Sequence, residues 1–97
     1  MPAFVIVELS IHDPKEMEEY KKLTPSTIAA FNGKFVVRGG HTIILEGDWK
    51  PERIVVLEFP TVDDANKWWS SEMYSKARVI RQKAATTKMI IVEGVQS

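Results

Sequence analysis

Residues 33–47 read GKFVVRGGHTIILEG, and the way this stretch folds decides how the rest of the chain is arranged. Two apolar, β-branched runs flank a Gly-Gly pair, with Arg38 just before it and His41 just after. One reading is a single long strand over 34–46 with a bulge at the glycines, because glycine inside a strand commonly marks a bulge or a close backbone approach. The other makes RGGH a tight hairpin between two short strands, since Gly-Gly is also a turn signal. On the first reading RIVVLEF (53–59) is the antiparallel partner, joined through the turn GDWKPE (47–52). Alternation then places Val36 and Arg38 on one face of the second strand, and Ile54, Val56 and Glu58 on one face of the third. In that register Glu46 faces Arg53 and His41 lies opposite Glu58. A slip of one residue at the glycines sends His41 to the other face.

Outward from this centre the pattern is regular. AFVIVEL (3–9) is β-branched and apolar, a strand. A helix follows, with Asp13 as cap, Pro14 at the first helical position and Glu16 three residues after the cap. Met17, Tyr20 and Leu23 recur on one face, and Glu18 and Lys22 pair on the other. Pro25 is expected to break or kink this helix, leaving a short second piece, STIAAF, that stops at Asn32-Gly33. Downstream, Thr61 caps a helix over TVDDANKWWSS, which continues as EMYSKARVIRQKAA after an irregularity at Ser70-Ser71. TKMIIVEG is the last strand.

The order βαββαβ points to an α+β fold, a ferredoxin-like sandwich with an antiparallel sheet. Helices can cover only one face of such a sheet, yet both faces of the strands are apolar. Phe4 and Ile6 alternate with Val5 and Val7, Ile54 and Val56 with Val55 and Leu57, Met89 and Ile91 with Ile90 and Val92. The uncovered face calls for a partner, and a second copy related by a two-fold axis is the simplest one, so a homodimer through the sheet face is expected.

Composition narrows the chemistry. At 97 residues the chain is expected to form one domain, 1–97, with a real but thin core. Thirteen Lys+Arg balance thirteen Asp+Glu, and no basic segment with interleaved aromatics is present, so nucleic acid is not an expected partner. MPAFVIVELS lacks the layout of a signal peptide and no apolar run reaches the length of a membrane span, which makes the expected location cytoplasmic, with no membrane partner. With no cysteine and only His12 and His41, disulfides, thiolate chemistry and a metal site are not expected. Walker-type loops, a dinucleotide-binding glycine fingerprint and a serine nucleophile elbow are absent, and no cofactor is expected.

FVVRGGHTIILEGDWKPERIVVLEFPTVDDANKWWSSEMY (35–74) resembles the domain-of-unknown-function family 1330. The pattern that carries the resemblance runs R-G-G, then E-G with W and P, then E-F-P, then an aromatic pair before S-x-x-Y, then R. It falls on Arg38, Gly39, Gly40, Glu46, Gly47, Glu58, Phe59, Pro60, Trp69, Ser71, Tyr74 and Arg81. The chain departs from the pattern at Glu72 and Met73, where the family has Pro and Glu, and at Ser75, where it has Gln. The resemblance implies the dimeric α/β-barrel superfamily, a homodimer and no established activity. Relatives in that superfamily include cofactor-independent monooxygenases, haem-degrading enzymes and lactone isomerases, among which fold alone does not choose.

With the first and third strands taken as parallel neighbours, Glu8 lies near Glu58, and Arg38, His41, Glu58 and Glu8 gather at one end of the sheet. Arg38 then reads either as the anchor of an anionic or carbonyl-bearing ligand or as half of a buried ion pair. His41, polarised by Glu58, is the candidate general base, with a solvent-edge histidine as the plainer reading. Trp68, Trp69 and Tyr74 line an aromatic pocket on one reading. On the other, Ala65, Trp69 and Met73 are the core stripe of a helix. Ser71 and Tyr74 are candidate hydrogen-bond donors into a cleft. Arg78, Arg81 and Lys76 read as a solvated helix face, with Arg81 also a candidate to bridge back to a carboxylate or to bind ligand. Trp49 suits the mouth of a partner's sheet, and a prolyl amine at Pro2, as in tautomerases, is a coincidence of the Met-Pro start. Three functions remain: a homodimeric binder of a small ligand between sheet and helices, a cofactor-independent monooxygenase or isomerase, and a structural module.

Overall fold

The computed structural model describes residues 1–95. The elements are β1 (Ala3–Ile11), α1 (Pro14–Ala30), β2 (Lys34–Arg38), β3 (Arg53–Phe59), α2 (Val62–Ser70), α3 (Glu72–Ala84) and β4 (Ala85–Glu93). The sheet order is β2-β3-β1-β4, with every neighbouring pair antiparallel. This is the ferredoxin-like α+β arrangement, with three helices on one face of a four-stranded sheet.

Strand periodicity sets the two faces. Ala3, Val5, Val7 and Leu9 of β1 are all buried under the helices, beside Leu57 and Phe59 of β3 and Ala85 of β4. The alternate residues point the other way, and there Val37, Ile90 and Val92 remain 39%, 58% and 41% exposed. Trp68 stands at the centre of the core, 1% exposed, stacked at 4.1 Å on Tyr74 and at 5.5 Å on Phe59. Its indole N–H donates to Thr27 Oγ1 at 3.1 Å, so the ring is buried with its polar atom satisfied.

Asp13 caps α1 by accepting from the Glu16 backbone N–H, and Pro14 sits in the first turn. The expected break at Pro25 does not occur: α1 is one helix of 17 residues. Hydroxyls hold the turns around the proline, Thr24 donating to the Tyr20 carbonyl at 2.6 Å and Thr27 to the Thr24 carbonyl at 2.7 Å. The helix ends at Ala30 with Phe31 as its cap; Asn32 follows with φ 64°, and the Gly33 N–H closes back on Ile28 O at 2.9 Å. Gly33 leaves no room for a side chain, since a Cβ there would lie 2.5 Å from Phe59 Cε1. The irregularity expected at Ser70-Ser71 is a break, with Ser71 the N-cap of α3.

Neither reading of the Gly-Gly stretch describes the chain between β2 and β3. β2 stops at Arg38, the Gly39 N–H makes one further bond to Ile54 O at 2.9 Å, and residues 40–50 form an exposed arm without regular structure. The bulge lies earlier, between Phe35 and Val37. It turns Val37 to the open face opposite Val56 and brings Arg38 opposite Val55, onto the helix side with Phe35. Val36 and Arg38 therefore do not share a face in simple alternation.

Candidate functional site

Two openings enter the layer between sheet and helices. The first lies under α1 and is walled by Val7, Leu9, Met17, Ile28, Leu57 and Trp68, with Tyr20, Lys21, Arg38 and Arg53 at its rim. It encloses about 40 Å3, space for a small apolar group of a ligand whose polar end stays at the rim. Arg38 lies with its guanidinium 4.2 Å from the centre of the Phe35 ring, a contact that fixes its direction while leaving its N–H fork free. Arg53 packs over Gly39: a Cβ on that residue would lie 2.1 Å from Arg53 Nη1, and its φ of 70° suits glycine. The first glycine of the Gly-Gly pair thus has a physical reason in its positive φ, and the guanidinium of a second arginine lies over it at the same rim. Among the described residues no carboxylate is in ion-pair range of Arg38 or Arg53, while Lys21 pairs with Glu18 at 3.5 Å.

The second opening lies between α2 and β4, with a volume of about 450 Å3. Trp69 and Arg81 line it. Trp69 is not a core residue. The buried face of α2 is Ala65 and Trp68, because the helix breaks at Ser71 before a stripe through Met73 can form. Trp69 is 40% exposed and carries the Arg78 guanidinium 4.5 Å above its ring. Arg81, read from sequence as part of a solvated face, is 4% exposed. Among the described residues it bridges to no carboxylate; its Nε donates to Tyr74 Oη at 3.3 Å.

A polar thread joins the two openings. Tyr74 Oη accepts from Arg81 and lies 2.7 Å from Tyr20 Oη. The arrangement that uses every donor has Tyr74 donating to Tyr20, which leaves the Tyr20 hydrogen for the first opening. Burial, and next the adjacent Tyr74 hydroxyl, raise the pKa of Tyr20 far above the ordinary tyrosine value. At neutral pH it is a hydrogen-bond donor and not a phenolate.

The grouping of Arg38, His41, Glu58 and Glu8 expected from sequence does not form. β1 and β3 are antiparallel, so Glu58 stands opposite Phe4 and Lys34, while Glu8 stands opposite Ile54 toward the other end of the strand. Both carboxylates belong to the open face, away from Arg38. His41 is exposed on the arm, not opposite Glu58, and Glu46 does not face Arg53 in a ladder because β2 ends before it. Trp49 returns to its own sheet, donating from Nε1 to Glu8 Oε1 at 3.0 Å, and is 60% exposed. Ser71 uses its hydroxyl at the helix junction, donating to Trp68 O at 2.7 Å and accepting from the Tyr74 N–H at 3.1 Å.

Sequence reasoning missed Tyr20, Lys21, Arg53 and Thr87. Tyr20 was hidden in the core stripe of α1, and Arg53 in a register that paired it with Glu46. For Thr87 a signal was present: it is a hydroxyl between Ala85 on one side and Met89 and Ile91 on the other in the helix-facing row of β4.

A family model described as "Domain of unknown function (DUF1330)" matches residues 2–95. No curated protein matches the chain. Among solved structures it is similar to RPA0582 of Rhodopseudomonas palustris, a protein of unknown function, at 16% identity over 99% of this chain and 84% of that one, with a TM-score of 0.76. It is also similar to SnoaB, a cofactor-independent oxygenase from Streptomyces nogalater, at 14% identity over 99% and 95% of the two chains, TM-score 0.63. Rv0793 of Mycobacterium tuberculosis matches at 13% identity over 100% and 98%, TM-score 0.57. At these identities the likeness is one of fold.

Proposed function

The chain belongs to the DUF1330 family, whose description assigns no function, and from that footing we propose that it is a homodimeric binding protein for a small anionic or carbonyl-bearing organic molecule. The ligand sits between sheet and α1, its polar end at Arg38 and Arg53 and its apolar part against Met17, Ile28, Leu57 and Trp68. The observation that carries this reading is a rim with two arginines that have no carboxylate partner among the described residues and a neutral Tyr20 hydroxyl, set over an apolar interior. A planar guanidinium fork held by an aromatic ring suits a carboxylate or an enolate oxygen.

The homodimer is part of the same reading. The open face is apolar along its middle, with Ile6, Val37, Val56, Ile90 and Val92, while Lys34 opposite Glu58 and Glu8 opposite Lys88 balance charge toward its ends. A second copy packed on this face would bury that apolar middle. The chain acts in this reading as one domain over 1–97 in the cytoplasm, consistent with no helix of the described residues being long and apolar enough to cross a membrane.

Binding is favoured over turnover because of where the proton-transfer candidates lie. His41 is on the exposed arm and Glu58 on the opposite face of the sheet, and the lining of the α1 cleft contains neither imidazole nor carboxylate. A cofactor-independent oxygenase or isomerase built on this cleft needs a base supplied by the partner protomer or by the substrate. The test is ligand recovery. Protein purified from its own cells is denatured, and the released small molecules are compared with those from Arg38→Ala. An acidic or carbonyl compound enriched with the wild type and lost from the variant is the expected result; identical extracts contradict the site.

A further inference from the structure

The opening beside Trp69 holds two groups from which the fold alone gains nothing. Thr87 Oγ1 is enclosed and has no hydrogen-bond partner among the described residues. Valine has nearly the same shape and leaves no hydroxyl unpaired. Arg81 is 4% exposed, and its hydrogen bond to Tyr74 uses Nε alone. Its place in the last turn of α3 sets the charge at the negative end of the helix, which tempers the cost of burial without supplying partners for the rest of the fork. Both groups line the same cavity of about 450 Å3, a volume typical of small-molecule pockets. Asn66 adds an amide to the wall, and Trp68, Trp69 and Ile91 supply flat apolar surface.

We propose that this cavity is a second binding site, one that takes the carboxylate of a small organic acid with a flat apolar body. Arg81 receives the carboxylate through its free N–H groups, and the Thr87 hydroxyl, turned about χ1 from its enclosed position into the cavity that its side chain lines, donates to the same oxygens. The apolar body lies along the two tryptophans. A monoanion matches the lining better than a phosphate dianion, because Arg81 is the one cation in it. The site is separate from the α1 cleft: the two linings share Trp68 and Met89, and Arg38 belongs to the other.

The experiment is a titration of the full chain with benzoate, and in parallel with benzyl alcohol as its neutral counterpart, followed by NMR at the Thr87 amide and the Arg81 Nε–H. Benzoate is expected to move both signals saturably and benzyl alcohol to do so far more weakly. Arg81→Met is expected to weaken benzoate about tenfold or more, and Thr87→Val about threefold to tenfold. Arg38→Met is expected to leave this binding unchanged. Thr87→Val keeps the test decisive if Arg81→Met fails to fold. The proposal is overturned if neither signal moves, if benzyl alcohol binds as well as benzoate, or if Arg38→Met abolishes the shifts while Arg81→Met or Thr87→Val retains them. The last of these results places the ligand in the α1 cleft and leaves the function proposed above intact; unchanged benzoate binding in Arg38→Met leaves that function to be judged by its own test.

Discussion

Tyr20 and Thr87 show most directly how single side chains in this protein are held in states that water would not favour. In the unfolded chain Tyr20 loses its proton near the ordinary tyrosine pKa of 10.0, whereas burial, followed by the adjacent Tyr74 hydroxyl, raises its pKa in the fold. The neutral form is thus favoured by folding: this stability is fully present below about pH 10 and is lost as pH rises above it. Denaturant unfolding from pH 9 to 12 is expected to show stability falling with a slope approaching about 1.4 kcal/mol per pH unit from this residue. Tyr20→Phe is expected to flatten that limb, and an equal slope in both proteins contradicts the assignment. Thr87→Val is expected to raise the stability of the unliganded protein by about 1 kcal/mol, read as a higher urea midpoint at unchanged m-value, because the unpaired hydroxyl is gone. The site was legible in sequence only in part. Arg38 and Trp69 each line an opening, but Arg81 was read chiefly as surface because one sequence gives no view of what covers the third turn of a helix. Tyr20 and Arg53 were unreadable for a related reason: one sequence does not show that α1 sets Tyr20 at the same opening as Arg53, and the bulge at Phe35–Val37 that turns Arg38 toward that opening has no glycine or proline of its own.

Among the elements, the arm between β2 and β3 departs furthest from expectation, and the glycines at its start separate its structural from its permissive positions. Gly39 has φ 70° and no room beside Arg53, while at Gly40 nothing lies within 4 Å of an added Cβ. Gly39→Ala is expected to destabilise the protein by about 1–2 kcal/mol and to displace Arg53 from the rim. Gly40→Ala is expected to stay within about 0.5 kcal/mol of the wild type. Thermal unfolding of the pair checks this, and equal losses at both positions contradict the left-handed backbone assigned to Gly39. Helices and strands were otherwise legible. Caps at Asp13 and Thr61 are each visible as a polar residue before an apolar-periodic run, and each accepts a backbone N–H in the fold, whereas Ser71, read only as part of an irregularity, caps a separate helix. Pro25 misled because the rescue of its turn depends on hydroxyls at Thr24 and Thr27, whose propensities give no hint of that use. The direction of β1 against β3 followed from topology and not from composition. A strand inserted between two parallel neighbours must run against both, so Glu8 and Glu58 were bound to part.

For the molecule as a whole, one covered and one open, partly apolar sheet face are the basis of the proposed dimer. Val37 and Val92 already meet water in the protomer, at 39% and 41% exposure, so a charge there disturbs the chain's own packing little and the dimer greatly. Val37→Glu and Val92→Glu are each expected to give folded monomer by sedimentation velocity, with protomer unfolding shifted by less than about 1 kcal/mol. Native mass spectrometry of protein purified gently from its own cells joins assembly and ligand in a single reading. A species of twice the 11.0 kDa chain mass carrying a discrete small acidic adduct, which Arg38→Ala or Arg53→Ala releases, is the result that a ligand-binding homodimer predicts. A bare species at the mass of one chain contradicts it.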